Sequence, residues 1–223
     1  APCRKGSRKN ITIINGKPLI QYTIDQAKAS RYIDRIIVST EDNEIALIAQ
    51  ECGAEVPFLR PVELSKDNTK TIDVLVYTVD ELMKLGFKYD YVVLLQPTQP
   101  LRNSFHIDEA IEEIVKKDVE SLISISEVRE HPILMKTIDE LGNMENLLKQ
   151  TSDIRRQDFN KVYKVNGSIY INKLNKNFNN RISLNDNELA YIMEKKYDLD
   201  IDEPQDLEIF EFLLKIQKEE KNI

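Results

Sequence analysis

Hydrophobic positions along the chain alternate between a helical and a strand period. Behind Pro18, residues Leu19, Thr23, Ile24 and Ala27 fall on one helical face, with the proline where a first turn accepts it. Residues 35–40 form a short β-branched run ending in polar residues, which predicts a buried parallel strand. Ile45, Ile48, Ala49 and Cys52 return to helical spacing and stop at Gly53. Ile72, Leu75, Val76, Val79, Leu82 and Met83 make a longer helical face before Gly86. Residues 91–95 then read as a continuous apolar strand. Ile107, Ala110, Ile111, Ile114 and Val115 read as a helix, and the period-two run 121–126 as another strand.

The pattern breaks over residues 130–164. Residues 137–144, turning at Gly142-Asn143, predict a hairpin, and a polar, Arg-rich stretch follows. Strands resume at 168–171 and 190–193. A last helix opens at Pro204 and buries Leu207, Phe210, Leu213 and Leu214. This order predicts one α/β domain over residues 1–223, a mostly parallel Rossmann-like sheet flanked by helices, with 130–164 as a protruding arm. Ligands then belong at the carboxyl ends of the strands.

Composition narrows the classes. The 223 residues are 41% hydrophobic and 31% charged, as in ordinary globular chains. No apolar run approaches the roughly 20 residues of a membrane span. With no leader pattern, the expected address is cytoplasmic. The net charge of −7, with no basic block, argues against nucleic acid as a partner, although a local cation cluster can still serve a small anion. Cys3 and Cys52 have no CxxC spacing and read as unrelated reduced thiols.

Three constellations carry chemistry. Residues 2–10 pack Arg4, Lys5, Arg8 and Lys9 around Gly6 and Ser7 and end at Asn10, a composition suited to phosphates. The segment matches neither a P-loop nor a dinucleotide loop. Gln96-Pro97-Thr98, with Pro100-Leu101-Arg102 behind it, is a stiffened polar turn at the end of an apolar strand. Asp198, Asp200 and Asp202 alternate along an extended segment before Pro204, placing hard oxygen donors on one side as Mg²⁺ prefers. Asp202 also suits a helix start, whereas Asp200 has no capping role. His106 and His131 have no partner motif, so a histidine-based triad is not expected.

In order and number these segments resemble the acylneuraminate cytidylyltransferases, the CMP-sialic acid synthetases with their legionaminate and pseudaminate relatives. The likeness runs through Pro2-Cys3-Arg4, Gly6-Ser7, Lys9-Asn10, Asn15-Gly16-Lys17-Pro18-Leu19-Ile20, Leu59-Arg60-Pro61, Gln96-Pro97-Thr98, Arg156-Gln157, Asn166-Gly167-Ser168-Ile169-Tyr170-Ile171 and Asp200-Ile201-Asp202. The resemblance implies a nucleotidyltransferase fold. It implies triphosphate binding by Arg4, Gly6, Ser7, Lys9 and Asn10, with Arg60 and Thr71 in the nucleotide pocket. Gln96, Arg156 and Tyr170 would face a nine-carbon 2-keto sugar acid, and Asp200 and Asp202 would hold Mg²⁺. Arg4, Lys9, Asp200 and Asp202 are the implied catalytic residues. The family is dimeric, with the arm of one subunit over its neighbour's site, so a homodimer is expected.

The chain departs from that pattern at the front. Arg8 follows Ser7 at once where the family loop is longer, and no hydrophobic strand precedes Pro2. The expectation is that further residues belong before Ala1 and between Ser7 and Arg8. Two other readings stand beside the leading one. The first is a cytidylyltransferase for an eight-carbon keto sugar acid, against which Lys9-Asn10 and Gln96-Pro97-Thr98 speak. The second is a catalytically silent nucleotide-sugar binding module, against which Arg4, Asp200 and Asp202 speak.

Overall fold

Neighbouring residues on three strands sort onto opposite faces of one sheet, and that sorting places every other layer. The computed structural model describes residues 6–148, 155 and 158–220. After a helical turn, α1 (Gly6–Lys9), strands β1 (Ile13–Ile14) and β2 (Lys17–Pro18) pair across Asn15-Gly16. Both turn residues have positive φ, as a tight hairpin turn requires. Helix α2 (Leu19–Ala29) starts directly behind Pro18, and α3 (Asn43–Glu51) is capped by Asp42, whose carboxylate accepts from the Glu44 N–H at 2.8 Å. Then follow α4 (Thr71–Lys84), β3 (Tyr91–Leu94), α5 (Ser104–Lys117), β4 (Ser121–Glu127), β5 (Lys136–Ile138), β6 (Met144–Asn146), β7 (Tyr163–Lys173), β8 (Leu189–Met193) and α6 (Pro204–Glu220).

The central sheet has the order β3-β7-β4-β8. β4 and β8 are parallel, but β7 runs antiparallel to both of its neighbours. The sheet is therefore mixed rather than mostly parallel: β3, β4 and β8 share a direction and β7 is inserted against it. Leu122, Ile169 and Ile171 pack on Ile107, Ala110 and Ile114 of α5. The residues between them, Ile123 and Tyr170, pack on Ile72 and Leu75 of α4. Burying an aliphatic side chain of this kind contributes roughly 1.5–3 kcal/mol, so both faces hold the sheet between helices. Helix α6 closes the molecule by burying Phe210 against Ile14, Leu19, Leu101 and Ile201.

Residues 35–40 differ from expectation. Their ladder is a single parallel bridge, Ile37 with Glu55, made by Val38 N–H to Glu55 O (2.9 Å) and Glu55 N–H to Ile36 O (2.8 Å). The direction is the expected one, but the segment does not join the central sheet. In the arm, the predicted hairpin forms as β5 and β6, slightly longer at both ends. Asp139 organises its turn by accepting from the Leu141 and Asn143 N–H groups at 2.9 and 2.8 Å. Among the described residues no helix is long and apolar enough to cross a membrane.

Candidate active site

Strand β3 ends at Leu94, and the polar turn that follows is built into the fold at three points. Thr98 O accepts from the Ile201 N–H at 2.9 Å, joining the turn to the carboxylate segment before α6. Gln99 N–H donates to Gln96 O at 3.2 Å. Arg102, only 1% exposed, donates from Nη1 to Ser168 O (2.7 Å) and Gln96 O (3.4 Å), and from Nη2 to Thr23 Oγ1 (2.8 Å). No carboxylate is within ion-pair distance of it among the described residues. Burial pulls its guanidinium down to about 9, which leaves it charged at neutral pH. Arg102 is thus a pin for the turn rather than a ligand group.

Lys9 reaches the other side of the same segment. Its Nζ donates to Ile201 O at 2.5 Å and lies 3.5 Å from Asp202 Oδ1. Burial pushes the Asp200 carboxyl up; a hydrogen bond from Thr98 opposes this, the Asp202 charge adds to it, and Lys9 and Lys164 oppose it. Tyr170 is pushed up by burial and then by the nearby Asp200 charge. Two carboxylates that repel each other, one of them losing hydration, are a donor set that a hard divalent cation relieves. Among the described residues no group of three or more His, Cys, Asp or Glu could hold a metal by itself, so substrate oxygens and water would complete any coordination. Asp198 does not belong to the set. Its Oδ2 pairs with Lys164 Nζ at 3.1 Å, and the segment does not present the three aspartates alike.

Beside this line lies a cleft of about 470 Å³ lined by Lys70, Thr71, Gln96, Tyr170, Arg181 and Asn185, among others. It lies where β3 ends and where α4 begins at Thr71. Thr71, Gln96 and Tyr170, far apart in sequence, are therefore brought together. Arg60 is not among the lining residues: it donates to Glu41 Oε2 at 2.5 Å and to Ser65 Oγ at 3.0 Å. Gly6 and Ser7 lie in the turn of α1, and Asn10 O accepts from the Ile20 N–H at 2.8 Å. Arg4, Arg156 and Cys3 lie outside the described residues, and Cys52 is a free thiol. Lys70 and Arg181 were not legible beforehand, since neither sits in a motif and a lone surface cation carries no sequence signal. His106 has a structural role. Its Nδ1 accepts from the Asn103 N–H at 3.0 Å in a capping box that opens α5.

The cytidylyltransferase family model matches residues 4–223 of the chain. The chain is 36% identical over 211 residues to the N-acylneuraminate cytidylyltransferase of Streptococcus agalactiae serotype V, covering 92% of this chain and 50% of that protein. It is 33% identical over 224 residues to the CMP-N,N'-diacetyllegionaminic acid synthase of Legionella pneumophila, covering 98% and 96%. It is 30% identical over 223 residues to a pseudaminic acid cytidylyltransferase of Campylobacter jejuni, again covering 98% and 96%. The chain thus spans about half the length of the Streptococcus relatives, 50%, and nearly all of the other two. Among solved structures, a CMP:2-keto-3-deoxy-manno-octonic acid synthetase in complex with CTP has the same fold, with a TM-score of 0.70 at 14% identity over 97% of this chain and 95% of that one. A 4-diphosphocytidyl-2C-methyl-D-erythritol synthase has a TM-score of 0.67, also at 14%, over 92% and 94%.

Proposed function

Because the chain belongs to the cytidylyltransferase family, we propose that it transfers CMP from CTP to a nine-carbon 2-keto sugar acid of the N-acylneuraminate class. The observation that carries this reading is the cleft. Gln96, Tyr170 and Thr71 line it together with two cations, Lys70 and Arg181, and Tyr170 lies close enough to Asp200 to feel its charge. An anionic, hydroxyl-rich sugar suits such a lining, and a triphosphate suits the Lys9 side of the line.

In this reaction the anomeric oxygen of the sugar forms a bond to the α-phosphorus and its proton passes to solvent. The bond from the α-phosphorus to the bridging oxygen of the β-phosphate breaks, and pyrophosphate leaves with that oxygen. Lys9, with Arg4 and the backbone N–H groups of Gly6, Ser7 and Asn10, stabilises charge on the phosphates. Arg60 and Thr71 are assigned to the nucleotide, and Gln96, Arg156 and Tyr170 orient the sugar. Asp200 and Asp202 would hold Mg²⁺, which supplies neutralisation of phosphate charge. No side chain is assigned as general base.

The same reading makes the protein a cytoplasmic homodimer. The arm supports it: Ile138, Leu141 and Met144 are 71%, 87% and 74% exposed, a concentration of apolar surface suited to a second copy. The test is pyrophosphate release from CTP and Mg²⁺ with a panel of keto sugar acids. Turnover with a neuraminate, legionaminate or pseudaminate is expected. Fastest turnover with an eight-carbon acid would transfer the assignment to that class, and nucleotide binding without turnover on any acid would make the protein a silent binding module.

A further inference from the structure

Strand β7 is regular except at one place. Its register against β4 runs Tyr170 with Ile123 on one side and Val165 with Ile125 on the other, so residues 166–169 stand opposite Ser124 alone. Such a bulge breaks the main-chain ladder, and here buried side chains replace it. Ser124 donates its hydroxyl to Asn166 Oδ1 at 2.6 Å and accepts from the Ile169 N–H at 2.7 Å. Asn166 Nδ2 donates to Ser126 Oγ at 2.8 Å, and its Oδ1 accepts from the Ser168 N–H at 3.0 Å. Ser124, Ser126 and Ser168 are fully buried. On the other side the Ser168 carbonyl is held by Arg102. The bulge is therefore fixed from two directions, by β4 and by the pin beneath the turn.

At its apex is Gly167, with φ +74°. A Cβ at this position would lie 2.7 Å from Gln96 Oε1 and 3.9 Å from Gln99 Nε2. Gln99 is 1% exposed and both polar atoms of its carboxamide lack a partner among the described residues. Two carboxamides thus converge on the space that a side chain at 167 would fill, and one of them, Gln96, lines the cleft. Gln96 is a flexible side chain, so a methyl group there would displace its amide, in addition to the strain that φ +74° imposes on any L side chain.

We infer that the bulge is a positioning device for the keto sugar acid, in which Gly167 leaves vacant the place occupied by the Gln96 carboxamide. Gly167 touches no substrate; it acts through Gln96, and the inference rests on Gln96 being a sugar-binding group as proposed above. Arg102 contributes by holding the Gln96 carbonyl and the Ser168 carbonyl with one nitrogen, so turn and bulge keep a fixed separation.

A double-mutant cycle on the full chain separates the possibilities. Gln96→Ala is expected to raise KM for the sugar acid about tenfold, the worth of one good hydrogen bond, with KM for CTP unchanged. Gly167→Ala is expected to do the same, and Gln96→Ala with Gly167→Ala to be no worse than Gln96→Ala alone. A merely structural glycine would lower the melting temperature without splitting the two KM values. If Gln96→Ala raises the sugar KM but Gly167→Ala does not, or if the two effects multiply, the positioning role is overturned. An unchanged sugar KM in Gln96→Ala instead removes the sugar assignment of Gln96 itself. Should Gly167→Ala fail to fold, recovery of folding in the double variant upholds the inference. Failure of the double variant as well means the backbone conformation alone demands glycine, and the inference falls.

Discussion

The floor of the cleft and the tip of the arm invert the ordinary partition of side chains in opposite ways. The floor buries Arg102, Gln99 and Ser168, each with a polar atom that has no partner among the described residues. The tip of the arm is two three-residue strands in which every residue is exposed, among them Ile138 and Met144. Burying a polar group without a partner costs roughly 1–3 kcal/mol, so three such residues side by side mark a place where the fold gives up stability to fix a geometry. A cluster of exposed large apolar side chains is the reverse, a surface that gains by being covered. The floor is set in place by the fold before any ligand arrives. The two-stranded tip, too small for a core of its own, gains order from whatever covers it.

That contrast is open to experiment. The largest effect belongs to the chemistry above the floor: Asp200→Ala, like Arg4→Ala, is expected to lower kcat by about 10²–10³ while the melting temperature stays put. Full Mg²⁺-dependent turnover in Asp200→Ala would discard the metal assignment. Next is Arg102→Leu, which strands the Ser168 carbonyl and Thr23 hydroxyl in the interior. Urea denaturation should register a loss of about 2–3 kcal/mol, and a loss below the usual surface range of about 0.5 kcal/mol would mean the pin is dispensable. The arm should behave in the opposite sense. Leu141→Asp with Met144→Asp is expected to convert dimer to monomer by light scattering, with the monomer's own stability within about 0.5 kcal/mol; a wild-type protein that is already monomeric would leave the arm without its assigned partner.

The smallest effect is a pH dependence at the edge of the floor. Burial, helped by Arg102, pulls the His106 imidazole from 6.5 down to about 4; the charge of Glu194 opposes this, and Lys196 adds to it. The unfolded chain takes up the proton first, so the stability His106 contributes is complete above pH 6.5 and is lost as pH falls toward about 4. His106→Gln should flatten that limb in thermal melts, and an unaltered limb would assign it to other groups.

Much of this was legible in the sequence because it is written in local periodicity. The faces of α2 and α6 follow their apolar spacing, those of α4 and α5 follow it except at Met83 and Val115, which are exposed, and the hairpin in the arm follows its Gly142-Asn143 turn. The direction of β7 was not, since an apolar strand reads the same whichever way it runs. The alternation in β4 was read correctly as a strand but for an incomplete reason. Ser124 and Ser126 do not face water; they are buried ligands of Asn166. The isolated bridge at Ile37 illustrates the same limit, because pairing is decided by neighbours that no local window contains. In the site, Gln96, Thr71 and Tyr170 were identified by family likeness and brought into one cleft by the fold. Arg181 and Gln99 matter only through where the chain puts them. Arg102, in the same stiffened turn, is buried and spent on the protein itself.

The link between Lys9 and Ile201 has a consequence for how the protein comes into being. The two residues are separated by 192 positions, and between them they close one side of the candidate site. Closing so long a loop comes late, because its entropy is lost before its contacts repay it. On the ribosome, where chains emerge from the amino end, the basic turn is made 192 residues before the aspartate segment that completes the contact. A nascent chain therefore has helices α2 to α5 and all four strands of the central sheet before Lys9 has this partner, and helix α6 after it.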